Sequence, residues 1–181
     1  MDLDTFLKFL HVATAAAWLG GTLAGGVFGL WIWRRGTVED MAGVLRQTAF
    51  LAATIFGPAT LAVLALGICM TWLNYGFTEA WIDFALAALA VHILVGYGVV
   101  MPRFKVLEAT LADEGLAESD RHLFGWLMRM GMAHNVLLFA VVLDMVAKPQ
   151  WSDWGMIGGI VVIVALAFAL LATPILFSPS R

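Results

Sequence analysis

Few chemically reactive side chains fall within the apolar stretches of this sequence. They are His11, Asp83, His92, His134 and Asp144. Ionisable side chains are costly inside a bilayer, so those that occur there are candidates for function. Imidazole is a ligand of both haem iron and copper. The residue types therefore direct attention to haem or metal binding by the histidines.

His11 and His92 are predicted to lie at similar depths in the membrane. With a rise of about 1.5 Å per residue, His11 lies ~10 Å below the outer boundary, and His92 lies ~14 Å below the entry of helix 3 near Asp83. His134 lies roughly 21 Å below Lys148, at or past the midplane. We therefore expect His134 to be less suited to share a site with the other two.

The helix faces around His11 and His92 carry mostly small side chains, because residues three, four and seven apart share a face. Two such faces in opposition leave a slot for a flat macrocycle with an imidazole on each side. We therefore predict that His11 and His92 bind haem b between helices 1 and 3, for electron transfer or as part of a redox subunit. The predicted lining of this slot is Trp18, Gly21, Thr22 and Gly96.

Two other interpretations stay open at this stage. A copper site is the first, with Met128, Met132 and His134 as ligands, since thioether and imidazole suit copper. The second is a structural subunit of a membrane complex without a cofactor, in which small residues only allow close helix packing and the histidines only hydrogen-bond. Asp144 and Lys148 are expected to form a structural ion pair one turn apart.

The composition places the chain in a membrane. Of its 181 residues, 62% are hydrophobic and 13% are charged, against about 25% charged in an average globular chain. A net charge of −3 gives no basic footprint for nucleic acid. The single cysteine, Cys69, excludes an internal disulfide and a metal site made of several cysteines.

Five apolar stretches are long enough to cross a bilayer as helices. The predicted spans are Thr5–Trp33, Thr48–Leu73, Trp81–Met101, Phe124–Val146 and Trp154–Phe177. The sequence therefore predicts an all-α bundle, with a four-helix domain at 1–149 and an additional fifth helix at 150–181. Gly57-Pro58 should kink helix 2, and helix 3 should extend beyond the membrane and turn near Gly115.

Orientation follows from the placement of lysine and arginine. Eight of the ten lie on one predicted side, namely Arg34, Arg35, Arg46, Arg103, Lys105, Arg121, Arg129 and Arg181. Only Lys8 and Lys148 lie on the other side. We therefore predict that the N-terminus is outside and the C-terminus is cytoplasmic.

Short motifs resemble known families. Leu10-His11 followed by Trp18-Leu19-Gly20-Gly21 resembles the first helix of three groups of small bacterial membrane proteins. These are the copper-resistance D (CopD) family, the HemJ-type protoporphyrinogen oxidases and a related family without assigned function. The stretch 137–149, which ends in Lys148-Pro149, is similar to the last two groups, and Gly57-Pro58 looks like the unassigned family in particular.

This resemblance covers about residues 3–149 and implies a multi-pass protein of the bacterial inner membrane. The HemJ branch implies a b-type haem with the first-helix histidine, here His11, as an iron ligand. HemJ-type oxidases also carry a histidine and a lysine shortly after the tryptophan that opens helix 3. Trp81 is followed here by Asp83 and Ala85, so protoporphyrinogen oxidation is not expected. The expected partners are the lipid bilayer and either membrane redox proteins or further copies of the chain.

Overall fold

A computed structural model describes residues 2–172, and these residues form five helices long and apolar enough to cross a membrane. The helices are α1 (Leu3–Arg35), α2 (Val38–Tyr75), α3 (Ala80–Asp113), α4 (Arg121–Ala147) and α5 (Trp154–Ala172). The described part contains no strand, which confirms the all-α prediction. The end of the predicted fifth span, 173–177, and Arg181 lie outside the described residues.

The second helix begins earlier than the sequence analysis predicted. It starts at Val38, so Gly36 and Thr37 alone connect it to α1. A capping box makes this early start stable: the Thr37 hydroxyl accepts from Asp40 N at 3.2 Å, and the Asp40 carboxylate accepts from Thr37 N at 2.8 Å. Arg46, predicted in a loop, therefore lies on the helix.

Two internal prolines are each preceded by a wide π-helical turn. Ala52–Phe56 precedes Pro58 in α2, and Gly96–Val100 precedes Pro102 in α3. A proline has no N–H to give to the helix, and a local change in hydrogen-bond register accommodates that loss. At Gly57-Pro58, where a kink was predicted, α2 continues through such a turn.

Helix α4 lies at the centre of the packing. It contacts α1, α3 and α5, while α2 packs mainly against α1. Helix α3 runs on to Asp113, and the chain reverses at Gly115, whose φ of +79° is readily adopted only by glycine. The predicted extension of helix 3 and its turn are thus confirmed.

The bundle has two ends, which we call the N-terminal side and the arginine side. The arginine side holds the end of α1, the start of α2, the extension of α3 and the start of α4. A core of buried side chains joins these segments; its fully buried members include Met41, Leu45, Leu107 and Phe124. On the N-terminal side, Asn74 Nδ2 donates to Asp4 Oδ1 at 2.7 Å and ties the end of α2 to the start of α1.

The predicted ion pair between Asp144 and Lys148 is wrong. Lys148 ends α4 with a left-handed backbone, φ 48°, and its Nζ lies 5.2 Å from the ring centroids of both Tyr75 and Trp81. The ammonium group thus rests on aromatic faces of α2 and α3. Asp144 stays buried, at 4% exposure, and its Oδ2 has no hydrogen-bond partner among the described residues. The left-handed turn that redirects Lys148 is the physical reason for the difference.

Candidate functional site

Three aromatic side chains from three helices meet near the middle of the bundle. The ring centroid of His92 lies 5.0 Å from that of His134 and 5.3 Å from that of Trp18, each pair edge to face. We call these three residues the histidine cluster. His134 also contacts Phe168 of α5, at 5.5 Å between ring centroids. The cluster therefore joins α1, α3 and α4, with α5 packed on its outer side.

The expectation that His134 lies apart from His92 is wrong. The depth of His92 was counted from Asp83, whereas α3 begins at Ala80, so His92 lies about 18 Å below the start of the helix. His134 lies about 20 Å below the end of α4 at Ala147. Counted from the earlier start of α3, the depth of His92 in the membrane is similar to that of His134. Both lie deeper than His11, which is only ~12 Å from the start of α1.

The hydrogen bonding of His134 fixes its protonation pattern. His134 Nδ1 lies 2.8 Å from the carbonyl oxygen of Met130, one turn earlier in α4. Because a carbonyl only accepts, Nδ1 is the nitrogen that carries the hydrogen, and Nε2 of the neutral ring holds a lone pair. That Nε2 is buried and has no partner within residues 2–172. His134 thus presents a free nitrogen ligand in the membrane interior.

His92 presents a second unsatisfied nitrogen. The side chain is half-buried, and its Nδ1 is buried without a hydrogen-bond partner in the described part of the chain. Buried polar atoms in folded proteins are nearly always paired, so unpaired ones require an explanation. Two adjacent imidazoles with free nitrogens can bind a metal ion that the structure does not include.

His11 lies elsewhere. The imidazole of His11 packs against Gly67 of α2. A Cβ placed on Gly67 would lie 3.3 Å from His11 Cε1, so a residue without a side chain leaves room for the ring. The ring lies near the backbone of Val63. Its Nδ1 is buried and has no hydrogen-bond partner among the described residues. The described contacts of His11 are thus with α2, whereas those of His92 are with α1 and α4.

The predicted lining residues of the haem slot have separate contacts. The Thr22 hydroxyl donates to Asn135 Oδ1 at 2.8 Å and so links α1 to α4. Gly21 is close to the ring of Phe56, since a Cβ there would lie 2.9 Å from Phe56 Cε1. Gly96 begins the π turn that precedes Pro102, and a Cβ placed on it would have no atom within 4 Å. Of the predicted lining, Trp18 has a described side-chain contact with a proposed haem ligand, His92, and Gly96 donates its backbone N–H to the His92 carbonyl.

Met128 and Met132 serve the packing of α4 on α1. A Cβ on Gly26 would lie 2.8 Å from Met132 Sδ, and one on Gly29 would overlap with Met128 Sδ. Both thioethers thus fill notches that glycines leave in α1. The described contacts of the two thioethers are with α1, and the copper set of Met128, Met132 and His134 stays a prediction.

Sequence reasoning missed two buried polar residues of α4, Asn135 and Arg129. Asn135 is buried, and its Nδ2 donates to the Gly131 carbonyl at 3.1 Å. Arg129 is buried as well, and its guanidinium lies 4.7 Å from the ring centroid of Trp33. The available signal was the polar pair His134-Asn135 within an apolar run, which marks the face of α4 that turns inward. Over residues 2–172, no three or more His, Cys, Asp or Glu side chains form a metal-binding group.

Comparison with known proteins places the chain in a membrane family. A family model described as "Predicted integral membrane protein (DUF2269)" matches residues 5–149, which is more than half of the chain and ends before α5. No curated protein and no solved structure matches. The relationship to the HemJ and CopD families stays a prediction. The chain belongs to the DUF2269 family of predicted integral membrane proteins.

Proposed function

We propose that this integral membrane protein binds a copper ion within the bilayer, with His92 and His134 as its ligands. The observation that carries the proposal is His134 itself. Its Nδ1 is held by a backbone carbonyl, its buried Nε2 has no hydrogen-bond partner among the described residues, and its ring centroid lies 5.0 Å from that of a second imidazole. Histidines that bind metals commonly have this arrangement, because the outer hydrogen bond sets the tautomer and orients the ring.

The spacing of the two rings suits a single small ion. Imidazoles that bind one ion at metal–nitrogen distances of about 2 Å have ring centroids about 5 Å apart when the angle at the ion is tetrahedral, and about 6 Å apart when it is linear. The separation of His92 and His134 is 5.0 Å, with the rings at 86° to each other. This separation fits a bent arrangement, in which a further ligand completes the coordination of the copper ion.

The same contact argues against a haem between these two rings, because rings in contact leave no space for a macrocycle. Copper also agrees with the resemblance of the first helix to the CopD family. The methionine ligands considered from the sequence are replaced in this proposal by His92, since Met128 and Met132 fill the notches at Gly29 and Gly26.

The test is copper binding by the full chain, purified in mild detergent under reducing conditions. Competition with a chromogenic copper chelator would give the affinity, and elemental analysis would give the stoichiometry. We expect about one copper per chain, and His92→Phe or His134→Phe should weaken binding by more than about a hundredfold. Met128→Leu and Met132→Leu are the controls and should bind like the wild type. Unchanged affinity in both histidine variants would overturn the proposal.

Haem b is the second candidate, and one observation favours it. His11, the residue that the HemJ resemblance implies as an iron ligand, has a buried and unpaired Nδ1. A reduced-minus-oxidised absorption spectrum and a pyridine haemochrome assay, on protein from cells supplied with haem, would detect it. A b-type signal that His11→Ala abolishes and Met128→Leu retains would replace copper by haem. A featureless visible spectrum would eliminate the haem candidate.

A further inference from the structure

A cleft with charged side chains at its wall opens on the arginine side, between the end of α1 and the start of α4. Its volume is about 390 Å³, and its lining residues are Trp33, Arg34, Glu118, Arg121 and His122. Tryptophan is typical of the boundary between lipid tails and headgroups. Since Trp33 lies at the end of an apolar helix, the cleft lies at the level of the headgroups.

Two charged residues of the cleft, Arg121 and Glu118, bind each other, and Arg121 also binds the backbone. Arg121 binds the Glu118 carboxylate through Nε and Nη2. Its Nη1 donates to the Trp33 carbonyl at 2.8 Å, and its Nη2 donates to the Gly36 carbonyl at 3.1 Å. This pair therefore builds the wall of the cleft and leaves little free charge.

Arg34 and His122 are the free donors at the cleft. Both side chains are exposed, and neither has a hydrogen bond or an ion pair with any described residue. The one described contact of the Arg34 guanidinium is with the Trp33 ring, at 5.9 Å from its centroid. With Glu118 paired to Arg121, the unpaired charge at the cleft is the positive charge of Arg34, so the ligand that fits is an anion.

Trp33, which forms the floor of the cleft, is held in place by its neighbours. Trp33 lies so close to Gly125 that a Cβ at that position would overlap with the indole ring. The Arg129 guanidinium packs on the same indole, at 4.7 Å from the ring centroid. Binding of an anion would therefore require little rearrangement of Trp33.

An apolar track on the surface of α1 leads from the membrane to Arg34. Phe28 and Trp31 are stacked, with ring centroids 6.0 Å apart and planes at 21°, and both are exposed. Residues spaced by three lie on one helix face, so Phe28, Trp31 and Arg34 form a continuous stripe. A ligand that combines an anionic head with an apolar tail matches this stripe.

We propose that the cleft binds the headgroup of an anionic phospholipid. Arg34 and His122 donate to the phosphate oxygens, and Phe28 and Trp31 contact an acyl chain. Basic pockets between transmembrane helices are known to bind such headgroups, and arginine suits the geometry of phosphate. This proposal is independent of copper binding, because no residue of the histidine cluster contributes to the cleft.

The test uses the full chain in a neutral detergent, with native mass spectrometry in the presence of phosphatidylglycerol or phosphatidylcholine. We expect one tightly retained phosphatidylglycerol, with retention lowered about fivefold by Arg34→Gln. The control is Arg35→Gln, which removes the same charge from the adjacent exposed residue outside the cleft and should retain the lipid. Trp31→Ala should also lower retention, because it removes the acyl-chain contact.

Three results would overturn the proposal. The first is equal loss in Arg34→Gln and Arg35→Gln, which indicates only general surface charge. The second is equal retention of phosphatidylcholine and phosphatidylglycerol. In a third arm, inorganic phosphate is added at the concentration of the lipid. Displacement of phosphatidylglycerol would reassign the cleft to a soluble phosphate compound, and continued retention supports the lipid.

Discussion

On the arginine side of the bundle, three arginines are bound to backbone carbonyls or aromatic faces, whereas nearer the middle several buried polar atoms have no hydrogen-bond partner among the described residues. Arg103 Nη1 donates to the Val99 carbonyl at 2.8 Å, and its guanidinium lies 4.8 Å from the ring centroid of Trp126. Arg121 bridges α1 and α4. Even Arg129, whose Nε is unpaired, rests on Trp33.

Towards the middle and the N-terminal side, four buried polar atoms lack partners among the described residues. They are His11 Nδ1, His92 Nδ1, His134 Nε2 and Asp144 Oδ2. Leaving such a group unpaired inside a protein costs free energy, of the order of 1–3 kcal/mol for each. We infer that Arg103, Arg121 and Arg129 stabilise the fold, whereas the imidazoles near the middle are available to a ligand.

The largest effect should come from the core of the arginine side. Phe124→Ala removes a ring with 0% exposure and should lower the free energy of unfolding by about 3–5 kcal/mol. Phe139→Ala, on the same helix at 48% exposure, is the matched control and should cost far less. Reversible unfolding in mixed micelles would measure both, and equal losses would show that this core does not stabilise the bundle.

Arg121→Gln comes next in size. It removes the donors to the carbonyls of Trp33 and Gly36 and should lower the free energy of unfolding by about 1 kcal/mol. Arg35→Gln changes the charge equally without these bonds and should cost less. If the two variants unfold alike, the bridge between α1 and α4 contributes no stability of its own.

Two substitutions near the middle of the bundle compare Asn135, which has hydrogen-bond partners, with His92, whose Nδ1 has none among the described residues. Asn135→Leu breaks the contact with Thr22 and should cost about 0.6 kcal/mol, a typical value for a hydrogen bond between membrane helices. His92→Phe keeps an aromatic ring against Trp18 and removes an unpaired nitrogen, so the metal-free protein should be equally or more stable. A clear loss of stability in metal-free His92→Phe would show that the imidazole is structural.

The smallest effect concerns Asp144 and Lys148. A double-mutant cycle with Asp144→Asn and Lys148→Gln should give a coupling energy below about 0.3 kcal/mol, because the two side chains form no ion pair. A parallel cycle of Lys148→Gln with Tyr75→Leu should give about 0.5 kcal/mol, from the cation–π contact. Strong coupling in the first cycle would show that Asp144 and Lys148 form the ion pair predicted from the sequence.

Much of the fold could be predicted from the sequence, since long apolar runs in lipid have to be helical. The turn at Gly115 could also be predicted, because its residue type indicates a backbone reversal. The start of α2 was missed because the capping box at Thr37 and Asp40 precedes the apolar run by ten residues or so.

The site was harder to predict than the fold. Depth estimates depend on where each helix begins, and an error of three residues at the start of α3 is about 4.5 Å, which is enough to change the partner of His92. Depth also says nothing about which helices are neighbours. His11 faces Gly67 of α2, and the sequence alone gave no signal for that pairing.

Copper binding by His92 and His134 in the membrane interior can be measured by X-ray absorption at the copper edge, on the reduced, copper-loaded wild-type protein. We expect a first shell of nitrogen with the outer-shell scattering of imidazole, and that signal should be lost in His92→Phe. A first shell dominated by sulfur, or a spectrum that His92→Phe leaves unchanged, would show that this pair of histidines does not bind the ion.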